Sequence, residues 1–285
     1  LATSSAASDV YKRQTLSFEF FPPKTASGLD KLVNIAKDFE AVPAEYFSVT
    51  FGAGGSTQQG TLDTCRSLFD ATKTPIAPHI SGIGSDKEQI SLALRAYKDK
   101  GLKKLVVLRG DLPSGFGVIG DFPYAVNLID FINDEFDNYF EIEVGAYPET
   151  HPEALSPEQD LKYFCEKMSR DVEGAVTQFF FDPDVYFRFI EDCKKLGCSK
   201  PITPGIMPIT NKDALIRMAK NCGAKLPNSL ITKLDTYSEE GDVKKFGIEY
   251  VSSLVQELIK KGAPGIHFYT INQLEPTKLI IENLD

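Results

Sequence analysis

From Leu16 onward, short apolar runs alternate with longer stretches in which apolar residues recur every three or four positions. The short runs are LSFEFF (16–21), YFSVT (46–50), IAPHI (76–80), KLVVLR (104–109), EIEVGA (141–146), GAVTQFFF (174–181), ITPGI (202–206) and GIHFYT (265–270). Most are rich in Val, Ile, Phe, Tyr or Thr, which suits strands. The stretches 28–41, 58–72, 86–100, 122–136, 157–169, 183–197, 211–221 and 240–261 carry the helical period. In the third of these, Ile90, Leu94 and Tyr97 share one face, with Asp86 at the start and Gly101 at the stop. The apolar tail 274–284 predicts a closing helix.

Most successive strands begin about thirty residues apart, the length of one βα unit. Alternating units imply a parallel sheet with helices outside. Eight of them predict an α/β fold of the closed (β/α)8 TIM-barrel type, with an enlarged connection of two or more helices before strand eight. No glycine-rich dinucleotide fingerprint follows the first strand. FFPPKT stands there instead, which argues against a Rossmann domain. The expected layout is a leader over 1–14 and a single domain over 15–285. The leader has neither the apolar segment of a secretory signal nor the Arg-rich, acid-poor character of a transit peptide, and reads as non-native or disordered.

Composition narrows the partners. Among 285 residues, 31 are basic and 40 acidic, for a net charge of -9. Phosphate backbones need Lys and Arg, so nucleic acid is not an expected partner. No apolar run has the length to span a membrane. The five cysteines show no C-x-x-C pair, so scattered structural thiols in the reducing cytoplasm are expected rather than disulfides or a zinc site. The three histidines also lack metal-ligand spacing, and no metal is expected.

In a (β/α)8 barrel the chemistry lies at the C-terminal ends of the strands. Those ends carry Glu19, Thr50, His79, Arg109-Gly110-Asp111, Tyr147, Gln178, Met207 and Tyr269. Glu19 stands among phenylalanines, where desolvation should raise its pKa and suit it to general-acid work. A Glu in the barrel interior paired with Lys or Arg is the equal alternative. Arg109 can grip a phosphate or carboxylate, Gly110 allows close backbone approach, and Asp111 can accept hydrogen bonds from a heterocycle. An Arg–Asp surface turn would look the same. His79 and His151 read as ligand contacts, and His267 as a residue of the barrel interior. Gln178 offers both donor and acceptor to a heterocyclic edge. Asp160 and Lys167 lie seven apart on one helix, either as a solvated face or as contacts to a ribose and a phosphate.

The runs SFEFFPPKT, SVTFGAGGST, APHISGIG, LRGDLP, AYPETHPEA, TQFFFD, PGIMPI and HFYTINQ, in this order, resemble the methylenetetrahydrofolate reductase family over roughly 16–283. The resemblance implies a barrel that binds FAD. It implies reduction of 5,10-methylenetetrahydrofolate to 5-methyltetrahydrofolate by NADH or NADPH, in a ping-pong cycle through flavin N5. Glu19 then matches the general acid, Asp111 the carboxylate beside the flavin that also contacts the folate, and Gln178 the group that orients folate and nicotinamide. Flavin contacts carry over to Thr50, His79, Arg109, Gly110, Asp111, Tyr124, Ala125, Tyr147, His151, Ala154, Asp160 and Lys167. Folate or nicotinamide contacts carry over to Glu19, Asp111, Gln178, Met218, Tyr269 and Gln273.

The chain departs from some bacterial members at Tyr163, Glu166 and Gln273. The first two bear on the adenosine and pyrophosphate contacts, and Gln273 on the grip of the folate glutamate tail. Larger eukaryotic relatives append a regulatory domain responsive to S-adenosylmethionine, for which this chain has no room. A homo-oligomer is expected. A flavin-free folate barrel is the competing class, and FAD titration separates the two.

Overall fold

The computed structural model describes residues 15–51, 58–110 and 120–284. It begins with β1 (Thr15–Phe20), α1 (Ala26–Phe39), β2 (Ala44–Val49), α2 (Gln58–Ala71), β3 (Ile76–Ser81) and α3 (Lys87–Lys100). β4 (Lys104–Leu108), α4 (Ala125–Phe136), β5 (Glu141–Ala146), α5 (Pro157–Met168), β6 (Gly174–Thr177) and α6 (Pro183–Lys195) follow. The chain then forms β7 (Ile202–Thr203), β8 (Gly205–Ile206), α7 (Lys212–Cys222), α8 (Asn228–Leu234), α9 (Glu240–Lys260), β9 (Gly265–Tyr269) and α10 (Leu274–Glu282). The enlarged connection expected before the last strand is α7, α8 and α9.

Every strand pairing is parallel, in the order β7-β6-β5-β4-β3-β2-β1-β9-β8. The strand predicted over 202–206 is divided at Pro204, which has no N–H to give to a ladder. Its first half pairs with β6 through Ala175↔Ile202, and its second half with β9 through Gly205↔His267. The Pro204 carbonyl between them accepts from His267 N at 3.0 Å. The nine ladder segments are therefore eight barrel strands, and the sheet closes on itself.

Helix starts and stops follow local chemistry. Asp86 and Gln89 form a reciprocal capping box on α3, and Gly101 ends that helix at φ +85°. Ser156 caps α5 ahead of Pro157, and Asp182 caps α6 ahead of Pro183. Two expected elements are shorter. The helix predicted from 122 starts at Ala125, because Asp121 N bonds to Ser85 O and Phe122 is buried in the core. The strand predicted to 181 ends at Thr177, since the Gln178 side chain itself takes the Phe179 N–H at 3.1 Å.

Alternate side chains on a strand face opposite ways. Phe18, Phe20, Phe47, Val49, Ile80 and Val107 belong to the main core beneath the helices. Phe18 stacks on Phe39 with ring centroids 4.4 Å apart. The intervening Ser17, Glu19, Tyr46, Ser48, Ala77, His79 and Val106 face the barrel interior. There Tyr46, Ala77, Val106 and Leu108 make a small apolar cluster of their own. The interior also contains Glu143 of β5, near the end of the barrel where strands begin. It lies 3.8 Å from Lys104 Nζ, which is also 3.5 Å from Glu45 and 5.0 Å from the Tyr46 ring centroid.

Candidate active site at the carboxyl ends of the strands

Period-two alternation puts Ser17 and Glu19 on the same inner face of β1. His79 enters from β3 and His267 from β9. Glu19 Oε2 lies 3.3 Å from His79 Nε2 and 3.6 Å from His267 Nε2. His267 Nδ1 is hydrogen-bonded to Ser17 Oγ at 2.7 Å. The expected rise in the Glu19 pKa is corrected by this geometry. Burial pushes the carboxyl up, but the two imidazoles outweigh it and hold the pKa down at about 2. Phe18 and Phe20, which motivated the expectation, point away into the outer core. The interior pairing of Glu19 is thus with histidines rather than Lys or Arg. His267 is an interior residue, as its place in the strand suggested.

A main-chain clip fixes Glu19 from the far side of the closure. Thr270 Oγ1 donates to Glu19 O at 2.7 Å. Asn272 Nδ2 donates to Phe21 O at 2.9 Å, and its Oδ1 accepts from Phe21 N at 2.8 Å. Ile271 and Asn272 have φ of 52° and 53°, a costly conformation for residues other than glycine. Sequence reasoning missed Asn272, Thr270 and Ser17. The polar alternation Ser17–Glu19 was the available sign for Ser17.

The remaining candidates line the mouth. Thr50 follows β2, and its buried Oγ1 has no hydrogen-bond partner among the described residues, nor has Ser48 Oγ. Arg109 follows β4 and pairs with Glu153, while Ser81 Oγ donates to its carbonyl at 2.9 Å. Gly110 has φ +87°, and a Cβ there would lie 1.9 Å from Ser81 Oγ, so only glycine fits. Asp111 lies outside the described residues. Tyr124, largely exposed, is the N-cap residue of α4, and Ala125 is its first residue.

Tyr147 follows β5 and packs edge-on against His151, with ring centroids 4.4 Å apart. His151 N donates to Asp160 Oδ2 at 2.7 Å, and Ala154 N to His151 O at 2.9 Å. Lys167 Nζ donates to Gly145 O at 2.6 Å. Burial lowers the Lys167 pKa to about 8, against the attraction of Asp160. The Asp160–Lys167 face is therefore turned toward the barrel mouth and is not a freely solvated one. A cleft of about 510 Å³ opens beside Tyr147 and Asp160 and runs between α5 and α6, where Arg188 and Lys225 also line it.

Gln178 sits directly past β6, its N–H bonded to Ala146 O at 2.7 Å. Tyr269 donates its hydroxyl to Thr177 O at 2.7 Å and sets its ring 5.2 Å from that of His267. Met218 is half-buried on α7, and Gln273 is exposed at the start of α10. Among the described residues no group of three or more His, Cys, Asp or Glu is disposed to hold a metal ion. No helix among them is long and apolar enough to cross a membrane.

Fold and site together define a (β/α)8 barrel with a buried carboxylate–imidazole cluster at its carboxyl-end mouth. The chain matches the methylenetetrahydrofolate reductase family over residues 4–285 and belongs to that family. It is 31% identical to 5,10-methylenetetrahydrofolate reductase of Escherichia coli K12, across 99% of this chain and 95% of that one. It is 33% identical to a probable methylenetetrahydrofolate reductase (NADH) of Oryza sativa, across 95% of this chain and 48% of that one. The chain thus spans about half the length of the plant relatives it matches. Among solved structures, an uncharacterized Clostridium thermocellum protein that binds 5-methyl-5,6,7,8-tetrahydrofolic acid superposes with a TM-score of 0.65. The two are 13% identical, with 98% of this chain and 97% of that one covered. An oxaloacetate acetylhydrolase also superposes, with a TM-score of 0.57 at 10% identity over 94% and 79% of the two chains. These likenesses show the barrel alone.

Proposed function

We propose that this chain reduces 5,10-methylenetetrahydrofolate to 5-methyltetrahydrofolate with NADH or NADPH as donor and FAD as the bound cofactor. The observation that carries the reading is the buried Glu19–His79–His267 cluster at the barrel mouth, beside strand-end groups suited to a flavin. The chemistry a bound FAD supplies is hydride transfer through its N5, from nicotinamide to folate in ping-pong order. The residues present fit it. Thr50 Oγ1 is buried without a partner among the described residues and is free to bond a heterocycle. Gly110 admits no side chain at the strand end. Arg109, together with Lys167, supplies positive charge for a pyrophosphate inside an acidic protein. Lys167 keeps two further N–H groups after bonding Gly145.

Each remaining role belongs to a side chain. Asp160, Tyr147 and His151 would hold the dinucleotide beside the cleft. Gln178, Met218, Tyr269 and Gln273 would contact folate or nicotinamide, and Asp111 keeps the role that the family resemblance implies. Glu19 would deliver a proton to folate N10 and so open the five-membered ring. Because its pKa is held low, the proton has to reach Glu19 from an adjacent imidazole, and folate closing over the site would favour that transfer by excluding water. Tyr269 and the Ser17 hydroxyl keep the His267 ring in place for it.

Titrating the full chain with FAD is expected to give saturable binding and a flavin spectrum. NADH or NADPH should bleach that spectrum, and methylenetetrahydrofolate should restore it. A chain that takes up no FAD would sink the proposal in favour of a flavin-free folate barrel.

A further inference from the structure

The carboxyl end of β1 runs into Phe21-Pro22-Pro23. Neither proline has an N–H to give, so no ladder can run on past Phe21. The last residues paired between β1 and β9 are Glu19 and Tyr269. Beyond them β1 still has β2 on one side, where Thr50 N donates to Phe20 O at 2.9 Å. On the other side its neighbour is not a strand. The Asn272 side-chain amide stands there, giving to Phe21 O at 2.9 Å and taking from Phe21 N at 2.8 Å. One side chain thereby imitates the next rung of the ladder and satisfies both main-chain groups of Phe21.

The turn that brings Asn272 to this place is itself tied to β1. The Thr270 hydroxyl, which donates to Glu19 O, also accepts from Asn272 N at 3.1 Å. Gln273 N donates to Thr270 O at 2.9 Å. Ile271 and Asn272 both hold a left-handed φ. Asn tolerates that region, whereas a β-branched Ile is an outlier in it. Strain of this kind persists only where surrounding contacts fix it, and it collects at functional sites. The contacts that fix it here are made to Glu19, which carries the buried carboxylate, and to Phe21, two positions on.

We propose that Asn272 is a positioning residue for the Glu19 carboxylate, acting by tying the end of β1 to the turn between β9 and α10. The inference rests on the folate-reductase reading given above and adds a residue to it. Tyr269 and Gln273, the proposed contacts to folate or nicotinamide, flank the same turn. The clip therefore holds the acid and those contacts in one register. Without it, the chain past Glu19 is bonded from the β2 side alone among the described residues, and the strand end that aims the carboxylate can tilt. A reacting group misplaced by about 1 Å can lose about 10²-fold in rate.

Asn272→Gly and Asn272→Asp test this. Glycine adopts the same φ readily, so the backbone is kept and only the clip is lost. Aspartate keeps an acceptor for Phe21 N but has no N–H for Phe21 O. In hydrogen exchange on the ligand-free chain, the Phe21 amide should exchange faster in the Gly variant and stay protected in the Asp variant. In stopped-flow at saturating folate, the Gly variant should slow the folate half-reaction by about 10- to 10²-fold. Its flavin half-reaction and FAD affinity should be unchanged, and the Asp variant should fall between it and the parent. An unchanged folate half-reaction in a Gly variant whose Phe21 amide exchanges faster would overturn the proposal. So would equal losses in both half-reactions, or a Phe21 amide whose exchange the Gly variant leaves unaltered. A parent chain that takes up no FAD overturns the underlying reading, and this inference with it, before any variant is compared.

Discussion

Replacing Glu19 by Gln is expected to slow folate reduction by about 10²- to 10⁴-fold, while flavin reduction by NADH or NADPH changes little. Glutamine keeps the shape of the side chain but has no acidic proton to deliver. It also removes the anion that faces His79 and His267. Stopped-flow measurement of the two half-reactions separates the effects. An unchanged folate half-reaction would remove Glu19 from the chemistry. An equal loss in both half-reactions would mean that the variant disturbs the cofactor site and not proton delivery. The carboxylate also couples stability to pH. Its folded pKa of about 2 is below its unfolded value, so its contribution is full above the unfolded pKa and disappears as pH falls through about 2.

At the opposite end of the barrel, Glu143→Gln is expected to stabilise the protein above neutral pH. Burial raises the Glu143 pKa to about 7, with Lys104 opposing and Glu45 and Glu173 reinforcing the rise. A carboxyl whose folded pKa is raised favours the folded state at pH below its unfolded value. That advantage is lost as pH rises through about 7. The full shift corresponds to roughly 3 kcal/mol. The attraction to Lys104 is already contained in that shift, so the variant is expected to gain up to about 3 kcal/mol at pH 8. Lys104 retains Glu45 at 3.5 Å and Glu141 at 4.0 Å. Urea unfolding at pH 5 and pH 8 reads the difference. A variant less stable than its parent at pH 8, or an offset that does not vary with pH, would contradict the assignment.

These two glutamates show where sequence reading succeeds and where it stops. The barrel was legible because its period is local: each βα unit carries its own strand run, helix face and caps. The position of Glu19 at a strand end followed from that period alone. Its charge state did not, because His79 and His267 arrive from strands distant in sequence, and the phenylalanines beside it in the chain face the other way. Lys167 and Asp160 could be placed on one helical face by counting, but only the fold shows Lys167 bonded to the Gly145 carbonyl. Asn272 escaped notice because its grip on Phe21 depends on a positive φ that no residue pattern announces.

The division of the seventh barrel strand at Pro204 has a mechanical meaning. Six of the strand pairings run over three to five paired residues, whereas β7 and β8 each hold a neighbour by two. The cylinder is in this sense a ring with a clasp. Thr177 and Tyr269 help to fasten it from either side, through Gly205 N to Thr177 Oγ1 at 2.9 Å and Tyr269 Oη to Thr177 O at 2.7 Å. Two of those groups adjoin Gln178 and the Glu19 cluster. The circumference of the barrel is therefore held most lightly beside its mouth, where the proposed function would have two dissimilar guests enter in turn.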